Sequence, residues 1–292
     1  MLGLIAGRGA LPGAVSAARV EKPLVAALEG NAPDSVTPDL TFRLETLGTL
    51  IETFSARGVR EVCLCGSIDR PQIDPARIDA PTEPLVPRLK EALALGDDGA
   101  LRVVMALFEE AGMTILAAHE AAPALLLPPG VPTTTHPPAI AETEAEVGER
   151  VLSEMAAADL GQACAIRGTE VLAREGEDGT DAMLARLAQG DAGGDPVSFM
   201  MDTAYDVLGG AADWLSAKPQ GGQGCLFKAP KPGQDRRADL PAIGPETVRG
   251  VAAAGLAGIV IEAGGVLVLD QRTTLARAEE AGLYLWSRPA KG

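Results

Sequence analysis

Short apolar runs alternate with stretches of helical periodicity along the first 127 residues. The runs LGLIA (2–6), PLVAAL (23–28), residues 40–44, EVCLC (61–65) and MTILA (113–117) predict buried strands. Between them, residues 13–20, 47–57, 85–95 and 100–110 repeat apolar positions at helical spacing. Strands separated by helices of this length predict parallel pairing through crossover connections. Residues 128–138, PPGVPTTTHPP, then interrupt the pattern with five prolines, which suits a linker better than a helix or a central strand. Beyond it, residues 142–158 predict a helix, and 162–167 with 169–174 a hairpin around Gly168. Residues 179–189 predict a helix with Asp178 or Thr180 as its N-cap. The glycine-rich stretch 190–222 reads as a partly helical excursion. A helix at 246–254, strands at 258–262 and 266–269, a helix at 273–281 and a strand at 283–286 complete the chain. The expected fold is therefore α/β in two domains. An N-terminal Rossmann-like parallel sheet spans 1–127, a linker 128–138, and a C-terminal α/β domain 139–292, with a ligand cleft between the domains.

Charge and rare residues narrow the chemistry. Twenty-five basic residues stand against 40 acidic ones, a formal charge of −15, so no nucleic-acid partner is expected. Four cysteines make no CxxC pair and only two histidines are present, which argues against a zinc site and a histidine base. The pair Cys63 and Cys65 reads as core packing. The N-terminus lacks the basic start of a signal peptide, and the longest apolar stretch, 251–269, is broken by Glu262 and glycines. A soluble, cytoplasmic protein is expected.

Four segments carry possible chemistry. Gly7-Arg8-Gly9-Ala10-Leu11-Pro12 follows the first strand, where glycines let backbone N–H groups approach a phosphate at a helix N-terminus. It lacks the third glycine of the dinucleotide fingerprint, and a plain tight turn explains it as well. Gly96-Asp97-Asp98-Gly99 pairs two carboxylates that suit a hard cation or an ordinary helix cap. Residues 228–239 hold four cations (Lys228, Lys231, Arg236, Arg237) and two carboxylates (Asp235, Asp239), a basic island in an acidic chain. Such an island suits a diphosphate, with arginines giving forked contacts to phosphate oxygens. Asp235, set among these cations, stays ionised and suits a base or a metal ligand. Glu175-Gly-Glu177-Asp178-Gly179-Thr180-Asp181 offers a hydroxyl and carboxylates before a helix, which capping explains equally.

Taken together, LGLIAGRGALP, GDDGALR, EDGTDAML, KPGQDRRADLPAIG and GLAGIVIEAGGVLVLD resemble the UDP-2,3-diacylglucosamine pyrophosphatase family of the LpxI type, in order and over nearly the whole chain. The resemblance implies a lipid A pathway enzyme with two domains. It would split UDP-2,3-diacylglucosamine with Mg²⁺ into UMP and 2,3-diacylglucosamine 1-phosphate, water attacking the sugar-side phosphorus. It implies Asp235 as the catalytic residue, with Asp97, Asp98 and Asp235 toward the metal. Gly7, Gly9, Ala10, Gly66, Ser67, Thr180, Asp181, Lys228, Lys231, Gln234, Arg236 and Arg237 would contact substrate. Transient contact with the cytoplasmic face of the inner membrane and a homodimer are compatible with it. The alternatives are a non-catalytic nucleotide- or lipid-binding protein and a nucleotide-sugar transferase.

Overall fold

The computed structural model describes residues 1–69, 71–94, 97–157, 160–190, 223–231, 235–237 and 240–290, with the side chains of 92–94 and 97–98 left aside. The chain forms two compact units, one of Met1–Leu125 with Asp235–Leu240, the other of Leu126–Gln234 with Pro241–Gly292.

The first unit is built on a parallel sheet. Its elements are β1 (Leu2–Ala6), α1 (Leu11–Ala18), β2 (Leu24–Leu28), β3 (Leu40–Phe42), α2 (Leu47–Ala56), β4 (Glu61–Cys65), α3 (Val86–Ala94), α4 (Asp97–Glu110), β5 (Thr114–Ile115) and α5 (Ala118–Ala121). The strands lie in the order β3-β2-β1-β4-β5, every pairing parallel. Leu24, Ala26 and Leu28 from β2 and Val62 and Leu64 from β4 meet Phe54 of α2 and Met105 and Phe108 of α4 in one core. Gly3 admits Phe54: a Cβ there would lie 2.5 Å from its ring. The run 113–117 pairs only at Thr114–Ile115, so its strand is shorter than the apolar pattern predicts.

The second unit contains α6 (Ala141–Ala157), β6 (Ala163–Arg167), β7 (Glu170–Arg174), α7 (Gly179–Ala188), β8 (Cys225–Lys228), β9 (Ala242–Ile243), α8 (Pro245–Ala253), β10 (Gly258–Glu262), β11 (Leu267–Val268), α9 (Gln271–Glu280) and β12 (Tyr284–Arg288). Its main sheet runs β12-β10-β8-β6-β7. β12, β10 and β8 are parallel, while β6 runs antiparallel to both β8 and β7. Alternate residues serve opposite faces. Leu226, Ala163, Ala165, Ile259 and Ile261 enter one core, while Cys225, Phe227, Cys164, Ile166 and Val260 enter the other with α6. Gly168 at φ +58° makes the predicted β6–β7 turn.

Three features depart from the sequence pattern. Residues 266–269 do not join the main sheet; β11 pairs with β9 in a separate two-stranded ribbon. Asp178 takes the N-cap position of α7 without a side-chain capping bond, because its carboxylate pairs with Arg186. The proline-rich residues 128–138 are bonded to the second unit rather than hanging free. Gly130 and Ser287 exchange backbone hydrogen bonds of 2.9 Å, and Thr133 Oγ1 accepts from the Leu285 amide at 3.0 Å. The excursion expected at 190–222 lies, past Gly190, outside the described residues.

Candidate active site

In the first unit, β1 has β2 on one side and β4 on the other, so strand order reverses between β1 and β4. In open α/β sheets the crevice beyond the strand ends at that point is where ligands bind. The loop after β1 and the loop after β4 meet there. Gly7 N–H donates to Cys65 O at 2.9 Å, and Arg8 and Ser67 exchange backbone bonds of 2.8 and 3.0 Å. The approach requires glycine: a Cβ on Gly7 would sit 2.4 Å from Ser67 O, and one on Gly66, at φ +90°, 2.7 Å from the Gly7 carbonyl carbon. The structure thus brings together Gly7, Gly9, Gly66 and Ser67. Ala10 is the N-cap of α1 and lends it no side-chain bond, leaving the positive end of the helix facing the crevice rim.

A third loop, after β2, completes this rim, and its residues escaped sequence analysis. Asp34 Oδ1 accepts from Gly9 N–H at 2.8 Å, so that amide is already engaged. Ser35 Oγ donates to Gly9 O at 2.6 Å and accepts from Gly13 N–H. Buried Asn31 accepts from the Asp69 amide at 2.6 Å, and Asp69 forks onto Arg8. The Arg8 guanidinium holds the Asp69 carboxyl below its ordinary value. Glycines at turns mark two of these loops in the sequence, whereas nothing local marks the third. We expect Gly66→Ala to cost about 1–3 kcal/mol, from left-handed backbone strain and displacement of the Gly7 loop. Urea unfolding of the variant measures this, and a loss under a few tenths of a kcal/mol would show that the two loops need not touch.

Asp235 and Arg237 also belong to the first unit. Arg237 Nε donates to Asp235 Oδ1 at 3.0 Å, Nη2 to Oδ2 at 2.7 Å, and the Arg237 amide to Oδ1 at 3.0 Å. Arg237 Nη1 reaches Glu109 of α4 at 2.8 Å. The Arg237 bonds hold the Asp235 carboxyl below the usual carboxylate range against partial burial, and Arg102 of α4 adds to this through space. The segment is therefore a fixed carboxylate–guanidinium fork along α4, with Arg236 exposed beside it. Asp97 and Asp98 begin α4, but their side chains, and the whole of Gln234 and Asp239, lie outside the described residues. Among the described residues no three His, Cys, Asp or Glu side chains converge as a metal cluster.

The second unit holds a buried polar chain. Lys228, the last residue of β8, donates from Nζ to Thr180 Oγ1 at 2.7 Å, and Thr180 donates to Glu175 Oε1 at 2.6 Å. Glu175 Oε2 accepts from the Gln162 amide at 2.5 Å. Glu175, Thr180 and Lys228 are all under 10% exposed. The sequence marks Thr180 and Lys228 separately, and Glu175 only as part of an acidic turn. Asp181 does not join them: it is exposed and lines a shallow hollow between α7 and α8 with Glu246 and Arg249. Lys231 is half-buried beyond β8.

The remaining nucleophile candidates fall away. All four cysteines are buried and unpaired by disulfide. Hydrogen bonding with Cys63 and burial push the Cys65 thiol far up, and burial pushes Cys164 up to about 12, so neither is a thiolate at neutral pH. His136 is exposed, and His119 Nδ1 is buried without a hydrogen-bond partner.

Residues 1–125 match the family model described as LpxI N-terminal domain, and residues 128–286 match LpxI C-terminal domain. A curated relative, the UDP-2,3-diacylglucosamine pyrophosphatase LpxI of Caulobacter vibrioides, is 35% identical over 289 residues, covering 97% of this chain and 96% of the relative.

Proposed function

The chain belongs to the LpxI family, and from that premise we propose that it hydrolyses the diphosphate of UDP-2,3-diacylglucosamine in the lipid A pathway, yielding UMP and 2,3-diacylglucosamine 1-phosphate. The observation that carries this reading is the likeness to that named pyrophosphatase over nearly the full length of both chains. The chemistry of the described residues supports it. Diphosphate hydrolysis needs charge neutralisation and an oriented water more than a covalent nucleophile. This chain has buried thiols, two histidines, and an ionised carboxylate fixed beside Arg237.

In this reading Asp235 orients or deprotonates the attacking water, while Arg236, Arg237, Lys228, Lys231 and Gln234 neutralise and bind the diphosphate. Thr180 fixes the Lys228 ammonium, and Asp181, exposed on α7, would serve the substrate's hydroxyls. Backbone groups of Gly7, Gly9, Ala10, Gly66 and Ser67 line the nucleotide end. The Gly9 amide takes part only if Asp34 releases it. Mg²⁺ binds through one or two carboxylates together with substrate phosphates, a role within the means of Asp97, Asp98 and Asp235, and it would supply charge neutralisation at the diphosphate.

No helix among the described residues is long and apolar enough to cross a membrane. With its acidic balance and no polybasic anchor, the protein would meet its lipid substrate by transient contact at the cytoplasmic face of the inner membrane. Vesicle-bound protein is accordingly expected to wash off in high salt, and retention through a carbonate wash would contradict this. For the activity itself, purified protein should convert UDP-2,3-diacylglucosamine to equal amounts of UMP and 2,3-diacylglucosamine 1-phosphate. EDTA should stop the reaction and added Mg²⁺ restore it. Tight binding without turnover would favour a carrier instead.

A further inference from the structure

The first unit holds a cavity of about 300 Å³ that none of the site residues above lines. Leu44, Ile73, Ile78, Val86, Leu89 and Val104 form most of its wall. Its volume sits at the lower end of the about 300–1,000 Å³ typical of ligand sites, enough for one slender guest.

Three polar side chains border it: Glu45 and Thr82, which the protein already satisfies, and Lys90, which is exposed to solvent. The Glu45 carboxylate accepts from Arg43 Nη2 at 2.9 Å and from the Asp74 amide at 2.7 Å. Burial alone would raise its pKa, but these bonds outweigh it and keep Glu45 ionised. Thr82 Oγ1 accepts from the Gly48 amide at 2.8 Å. Apart from the solvent-exposed Lys90, the walls offer a polar guest little in exchange for its hydration, whereas a hydrocarbon loses nothing there. Ile73 is 42% exposed at the cavity, an apolar surface that such a guest would cover.

Topology gives the cavity its context. Leu44 lies just past the end of β3, Ile73 and Ile78 lie in the connection leaving β4, and Val104 is on the helix that descends into β5. Since all five strands are parallel, Leu44, Ile73 and Ile78 follow strand ends at the edge of the sheet where the Gly7 and Gly66 loops meet, and Val104 lies midway along the returning helix. The helix carrying Val104 also carries Glu109, which holds Arg237 beside Asp235. An apolar chamber thus shares one sheet edge with the nucleotide crevice and one helix with the carboxylate fork.

We propose that this cavity receives one acyl chain of the diacylated substrate and measures its length, an inference that rests on the function proposed above. Filling the chamber through Val104→Trp, or more gently through Ala100→Leu, should penalise long chains selectively. The test compares kcat/KM for UDP-2,3-diacylglucosamines carrying butanoyl, octanoyl or tetradecanoyl chains, and in parallel measures binding of a dansyl-labelled dodecanoic acid. The long-to-short ratio should fall by about tenfold or more in Val104→Trp, the scale set by a few methylenes in an apolar pocket. Probe affinity should fall alongside it. If Val104→Trp fails to fold, Ala100→Leu is read in the same way with a smaller shift. An unchanged ratio and unchanged probe binding in a folded filling variant would overturn the proposal. Wild-type protein that binds the probe through this chamber yet hydrolyses none of the series would instead sink the proposed function and leave the apolar site standing.

Discussion

Replacing Asp235 by alanine is expected to lower turnover of UDP-2,3-diacylglucosamine by about 10²-fold or more, the usual scale for losing a positioned acid–base group. The stability cost should be about 1 kcal/mol: the Asp235 side chain is only 15% exposed, but its partner Arg237 is 42% exposed, so solvent screens much of the pair. The folded variant should retain intact substrate, since the remaining cations still meet the diphosphate and a repelling carboxylate has been removed. The geometry raises a competing explanation, in which Asp235 serves only to aim Arg237, which it grips through both oxygens. Glu109 discriminates between the two, because it is the other carboxylate on the same guanidinium. If Asp235 acts on water, Glu109→Gln should cost only a few-fold while Asp235→Ala and Asp235→Asn both collapse the rate. Equal losses in Glu109→Gln and Asp235→Ala, in single-turnover assays, would reduce Asp235 to a positioning residue. The pH dependence has a fixed sign. The Asp235 carboxyl is depressed, so its stabilising interaction is complete above the unfolded value of about 3.9 and is lost only as pH falls through the lower folded value. An acid limb near neutrality would therefore belong to another group.

Glu175→Ala should destabilise the second unit by about 3 kcal/mol, the scale of breaking a buried charge network by removing one member. The substitution strips the acceptor from both the Thr180 hydroxyl and the Gln162 amide, and it takes the counter-charge away from a buried ammonium. Thr180 accepts from Lys228 only while its own proton has somewhere to go. Losing Glu175 therefore leaves Lys228 poorly aimed. Glu175→Gln, which keeps an acceptor oxygen, should lose less stability than the alanine variant. Thr180→Ser should stay near wild type where Thr180→Val does not. Urea denaturation midpoints provide the measurement, and a loss below about 1 kcal/mol for Glu175→Ala would show that water replaces the carboxylate freely.

These two sites also show what was legible in the residues themselves. The fork between Asp235 and Arg237 links groups two positions apart, inside the basic island that the charge pattern of 228–239 marks, but that pattern points to phosphate rather than to Asp235 as the partner of Arg237. The chain Glu175–Thr180–Lys228 joins positions 53 apart at its ends, and no local periodicity marks such a contact. Lys228 drew attention as the start of a basic loop, yet it ends a strand. CLFK was missed as β8 because four residues after a glycine-rich stretch are too few to show alternation. Strands β1, β4 and β10 were plain for the opposite reason: two buried faces demand an unbroken apolar run, as in LGLIA, EVCLC and GIVIE. The crevice was half visible. Gly7 and Gly66 announce tight turns, but their meeting depends on β4 lying beside β1, and Asn31, Asp34 and Ser35 join it only through that topology.

Hydrolysis requires water to be the acceptor of the cleaved phosphoryl group. Single-turnover reaction of the purified protein with UDP-2,3-diacylglucosamine in H₂¹⁸O, followed by mass spectrometry of both products, tests this most directly. One ¹⁸O atom should appear in 2,3-diacylglucosamine 1-phosphate and none in UMP, as attack on the sugar-side phosphorus requires. Label absent from both products, with the cleaved group passed to another molecule, would contradict hydrolysis by this protein.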